Sequence, residues 1–173
     1  KFASTANVKR LERLRLFFKF CVQRKWMESN FAKELKPPKE RLAPTLPYTV
    51  DEVEAILNAC DTAKAKHYMM SADKLQRLRA LCLIMRYSGL RIGDAASLEV
   101  EKLEGRRLRL YTDKTGVPVC TKLPDFVVAA LDACPKVSPR YWFWTGASSI
   151  PALEENYRRV FRTITREAGI KNA

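Results

Sequence analysis

Three side chains stand out by type and spacing: Arg91 and Asp94 in YSGLRIGDAASL (87–98), and Lys114 in YTDKTG (111–116). Arginine is always charged, and its planar fork matches a phosphate through two parallel hydrogen bonds. An acid three residues further along a helix lies on the same face and can brace that fork. A lysine in a turn rich in Thr and Gly can reach into a groove and offer a proton. Phosphate binding beside a proton donor is therefore the chemistry these residues would support. Taken singly, each cation is also what an ordinary solvated surface carries.

Arg91 poses a local question, because helix N-termini carry partial positive charge and disfavour cations. Its placement depends on what precedes it. Residues 74–88 read as a core helix, with Leu75, Leu78, Leu81, Cys82, Ile84 and Met85 covering more than one face. Gly89 is placed to end it, with Leu90 as the hydrophobic contact beyond. A short helix over 91–98 then begins with the arginine and carries Asp94 in its first turn. Residues 106–123 change to a two-residue period, which predicts a β-hairpin with Lys114 at its tip and Lys122 at a strand end.

The rest of the chain supplies the frame. Residues 7–28 predict one amphipathic helix with a basic polar face, through Val8, Leu11, Leu14, Phe17, Phe18, Cys21 and Val22. KPPKERLAPTLP (36–47) reads as a linker and a domain boundary. Thr49 and Glu52 form a T-x-x-E capping box that opens a helix through Cys60. His67 falls in a connecting stretch and reads as structural. Pro124 starts a helix, RYWFWT (140–145) predicts a short strand of core or interface aromatics, and 151–168 predicts a last amphipathic helix ending at Gly169. The fold class is α+β: mainly helical, with a small antiparallel β-hairpin or sheet.

Charge points to the partner class. The 173 residues carry a net charge of +13, which favours a polyanion, nucleic acid before an acidic membrane surface. Residues 1–47 hold 12 Lys/Arg against 4 Asp/Glu, so the excess is densest there. Five scattered cysteines without a CxxC pair read as free thiols in a reducing compartment. With one histidine, a zinc site has almost no ligands to draw on. No signal peptide or long apolar run is present, so an intracellular, soluble protein without a membrane partner is expected. The first residue is Lys, and a piece of a longer chain is expected.

GLRIGDAASLEVEKLEG followed by RLRLYTDKTGVPVCTKLP resembles the first half of the catalytic domain of the tyrosine recombinases, the phage-integrase family. That family has a G-L-R-x-x-[DE] box and then a hairpin with a K-T-G turn. NFAKELKPPK, the proline-rich linker and YTVDEVEAIL resemble its passage from core-binding to catalytic domain. The resemblance implies the end of a core-binding domain at 1–35, a linker at 36–47 and the N-terminal part of a catalytic domain at 48–173. It implies double-stranded DNA as partner, a 3′-phosphotyrosyl intermediate, a synaptic tetramer of the full-length protein, a bacterial or phage-encoded cytoplasmic setting, and neither metal nor cofactor. By match, Arg91 stabilises the scissile phosphate, Asp94 supports that arginine and the local fold, and Lys114 is the general acid for the leaving 5′-oxygen.

The family continues with an H-x-x-R box and a nucleophilic tyrosine, and neither is identified in these residues. Tyr157 sits in an apolar helical pattern and reads as core; Tyr87 and Tyr111 have no supporting base. The expectation is a recombinase fragment that does not cleave DNA alone. A non-catalytic DNA-binding regulator of the same ancestry and a basic RNA-binding protein are the competing readings.

Overall fold

Each predicted helix needs a start, a stop and a face to bury. The structure, a computed structural model, describes residues 5–37, 46–63 and 71–170. His67 and most of the proline-rich linker lie outside the described residues. The chain divides into two compact units, Lys1–Pro47 and Tyr48–Ala173.

In the first unit, α1 (Thr5–Gln23) is shorter than predicted. Lys25 adopts a left-handed backbone (φ 59°), and Trp26 N–H bonds back to the Cys21 carbonyl, which ends the helix. Of the predicted stripe, Leu11 and Cys21 are buried while Leu14 and Phe17 are exposed. Arg15 ties the following segment to α1, its Nε and Nη2 donating to the Ala32 and Leu35 carbonyls at 3.1 and 2.6 Å.

The second unit opens with α2 (Val50–Thr62) on the predicted capping box. Thr49 N–H donates to Glu52 Oε2 at 2.8 Å, and Glu52 N–H donates to Thr49 Oγ1 at 3.2 Å. α3 (Ala72–Ser88) starts two residues earlier than its apolar pattern, because Ser71 caps it through Lys74 N–H. Leu75, Leu78, Leu81 and Ile84 are fully buried, and α3 packs on α2 (Val50–Thr62) and on the later α4 (Ile92–Ala96), α5 (Asp125–Asp132) and α6 (Ile150–Glu167). A helix buried on several sides in this way is the centre of its unit.

The predicted hairpin is β2 (Arg107–Tyr111) paired antiparallel with β3 (Pro118–Lys122). A two-residue β1 (Leu103–Glu104), too short to show a period, makes the sheet three-stranded in the order β1-β2-β3. Leu108 on the inner face is fully buried in the helical core.

Residues 140–145 are not the predicted strand. Only an isolated bridge, Tyr141 with Glu99, forms there, with backbone bonds from Trp142 N–H to Leu98 O and from Val100 N–H to Arg140 O. Trp142 and Phe143 are both buried, adjacent in sequence, so the segment bends to place both in the core; a strand would have sent them to opposite faces.

Candidate active site

Gly89 ends α3 in the left-handed conformation (φ 70°), with its N–H on Met85 O at 3.0 Å. Leu90 then enters the core, and its N–H donates to Ser88 Oγ, which itself donates to Ile84 O. This turn sets the direction of Arg91. The arginine is not the first residue of the predicted 91–98 helix: it is the N-cap of α4 (Ile92–Ala96), with extended backbone (φ −68°, ψ 156°). Its carbonyl accepts from Ala95 N–H at 2.9 Å. The guanidinium is exposed, and among the described residues nothing hydrogen-bonds or ion-pairs with it.

α4 (Ile92–Ala96) is short and built of small residues, and Gly93, Asp94, Ala95 and Ala96 are all buried. Gly93 faces α6 (Ile150–Glu167), where a Cβ would meet only Glu154 Oε1, the far end of a flexible side chain that can swing aside.

Asp94 does not pair with Arg91. Its Oδ1 accepts from the backbone N–H of Asp113 at 2.9 Å, at the start of the hairpin tip. The residue is only 8% exposed, and Oδ2 has no hydrogen-bond partner. The carboxylate therefore fastens the tip to the helix that Arg91 begins. The sequence predicts an acid at this position, but not its partner across 19 residues.

The tip is itself closely bonded. Thr112, buried, accepts Gly116 N–H on its carbonyl at 2.8 Å, accepts Val117 N–H on Oγ1 at 3.2 Å, and shares a hydroxyl bond with Thr115 at 2.8 Å. Gly116 takes φ 63°, a backbone that disfavours side chains. Lys114 projects from this loop, exposed and without a partner among the described residues. Thr112 is a positioning residue that sequence reasoning missed; its only signal was a threonine opening a Gly-containing turn.

Tyr157 is core, as predicted. It is 5% exposed, its hydroxyl donates to Phe143 O at 3.0 Å, and burial pushes its pKa up to about 12. Burial likewise pushes the Cys60 and Cys134 thiols up to about 12 and 11 and raises Cys82, so none of these is an activated nucleophile. Among the described residues no cluster of three or more His, Cys, Asp or Glu is placed to hold a metal ion, and no helix is long and apolar enough to cross a membrane.

The second unit is thus a helical body with a small antiparallel sheet, in which one buried carboxylate joins an arginine-led turn to a lysine-tipped hairpin. Residues 48–173 match the phage integrase family, and the chain belongs to that family of tyrosine recombinases. It is 30% identical over 92 residues to the tyrosine recombinase XerC of Chlamydia muridarum (strain MoPn / Nigg), a match covering 52% of this chain and 26% of the relative. In fold it is similar to lambda integrase (75–356) in a dimer bound to a COC′ core site. That match has TM-score 0.71 and 16% identity, over 93% of this chain and 57% of the other. A lambda integrase tetramer bound to a Holliday junction matches with TM-score 0.70 and 17% identity, over 93% and 46%. XerA recombinase matches with TM-score 0.53 and 16% identity, over 99% and 57%. The chain thus spans about a quarter of the curated relative and about half of these solved structures.

Proposed function

We propose that residues 48–173 carry the arginine–lysine half of a phosphodiester-exchange site acting on double-stranded DNA, preceded in 1–35 by the end of a core-binding domain. The observation that carries this reading is the Asp94–Asp113 bond, which joins two exposed, unpartnered cations, Arg91 and Lys114, through one buried carboxylate. Arg91 holds the scissile phosphate and stabilises charge as it develops. A tyrosine hydroxyl attacks phosphorus as its proton passes to water, the P–O5′ bond breaks, and Lys114 gives its proton to the departing 5′-oxygen. The products are a 3′-phosphotyrosyl link and a free 5′-hydroxyl, so the bond energy is kept for rejoining. The sequence contains no H-x-x-R box, and the nucleophile is assigned to a segment outside it. The 173 residues bind DNA without cutting it, and the complete protein assembles as a tetramer on its sites.

The test uses a chain continuing through an H-x-x-R box and tyrosine, with a nicked duplex. The unaltered protein should form a covalent adduct, and Arg91→Ala should lower its rate a hundred- to a thousandfold, about 3–4 kcal/mol of barrier. Undiminished cleavage by that variant would sink the assignment. Lys114→Ala should be slow on ordinary DNA. It should recover on a substrate whose leaving 5′-atom is sulfur, because a thiolate leaves without a proton donor.

A further inference from the structure

Most cations of residues 48–173 are already engaged. Arg106 pairs with Asp125, Arg158 with Glu154 and Arg162 with Glu155, while Arg86 and Lys136 lie over aromatic rings. Among the described cations of residues 48–173, six have no hydrogen bond, ion pair or ring contact: Arg91, Arg107, Arg109, Lys114, Lys122 and Arg166. Five of the six lie at the start of α4 (Ile92–Ala96) or on the hairpin. Arg107, Arg109 and Lys122 share the exposed outer face of the sheet, and Arg107 stands directly opposite Lys122 in the β2–β3 register. Like charges directly opposite are destabilising, so the free sheet carries a cost that a polyanion would remove. Glu104, across from Arg107 on β1, forms no ion pair with it.

We infer that this outer face is a second contact for the phosphate backbone, made to the same DNA duplex that meets Arg91 and Lys114. The inference rests on the DNA reading above. β2 runs from this face into the tip, and at about 3.3 Å per residue Arg107 is at most about 23 Å from Lys114 along the chain. That is under about seven base pairs of axis, so one short duplex reaches both.

The test measures binding of the 173-residue chain to a 20-base-pair duplex from low to moderate salt by fluorescence anisotropy. Each lost phosphate contact should lower the slope of log affinity against log salt by about 0.9. Arg107→Thr/Arg109→Thr/Lys122→Thr should therefore lose about 2–3 in slope and roughly two orders of magnitude in affinity near 0.1 M salt. Its thermal unfolding should be unchanged or raised. The control Arg159→Gln/Arg162→Gln/Arg166→Gln on α6 (Ile150–Glu167) removes the same charge and should change the slope by less than about 1. Equal losses in both triples would mean net charge alone and overturn the inference. So would an unchanged outer-face triple, with the DNA reading left standing. If the unaltered chain does not bind duplex, both readings fall. Should the triple not fold, Lys122→Thr alone decides: a slope lower by about 0.9 supports the inference and an unchanged one overturns it.

Discussion

If Asp94 fastens the hairpin tip, removing its carboxylate should loosen that tip before anything else. The bond at stake is a backbone N–H to a buried carboxylate at 2.9 Å. A hydrogen bond to a charged group contributes about 1.5–3 kcal/mol. Asp94→Ala also removes Oδ2, which has no partner and therefore carries a desolvation cost in the folded protein. The two effects oppose one another in global stability but not in local opening. Amide hydrogen exchange is the assay that separates them. At about 2 kcal/mol, Asp113 N–H should exchange roughly 30-fold faster in Asp94→Ala, with Gly116 and Val117 following because their bonds depend on Thr112 in the same loop. The thermal midpoint should move by only a few degrees. Asp94→Asn keeps an acceptor at Oδ1 and should recover most of the protection. Unchanged exchange at Asp113 in the alanine variant would refute the role given to this carboxylate, whatever happened to the midpoint.

Other perturbations test the frame. Thr49→Ala breaks the capping box and should cost about 1 kcal/mol in urea unfolding; no loss would mean the box contributes nothing to α2. Gly89→Ala forces a side chain into φ 70° and should cost about 1–2 kcal/mol, detected as a lower thermal midpoint. Tyr157→Phe should destabilise by about 1 kcal/mol and leave adduct formation in a longer, active chain intact; loss of the adduct would make Tyr157 chemical after all. Burial raises Tyr157, Cys60 and Cys134 to about 12, 12 and 11. The folded protein then keeps protons that the unfolded chain releases, so stability is complete below about pH 9 and falls as pH climbs toward 12. Equal urea midpoints at pH 7, 9 and 10.5 under reducing conditions would contradict this.

Much of the frame was legible because it rests on local chemistry. The Thr49–Glu52 box, the αL glycine at 89 and the alternation around Leu108 are each decided within a few residues. The misreadings share a cause: a distant contact overrode a local preference. RYWFWT has strong strand propensity, yet Trp142 and Phe143 are both drawn into the core, which a flat strand does not permit. β1 exists only because β2 offers it an edge, and two residues leave no period to read. α1 stops at Gln23 although the apolar spacing runs on, because Lys25 turns left-handed and the chain folds back.

The site shows the same division. Two short motifs single out Arg91, Asp94 and Lys114 as candidates, but their mutual arrangement was not readable from them. Helical spacing of three suggested that Asp94 braces Arg91, since neighbours on one face are the contacts a sequence displays. The fold instead spends that carboxylate on a backbone N–H from the hairpin, leaving the guanidinium without a protein partner. The difference matters chemically. An arginine already paired with a carboxylate must give up part of that pairing to take a phosphate, and the nearby acid would repel the incoming charge. An unpaired arginine on a glycine-set turn avoids the first of these costs, and Asp94, with Oδ1 bonded to Asp113 N–H, fixes where the hairpin tip that carries Lys114 stands. On the function proposed above, the mismatch of a cation at a helix start is offset by a phosphate from outside the chain, which an arginine without a protein partner is free to take.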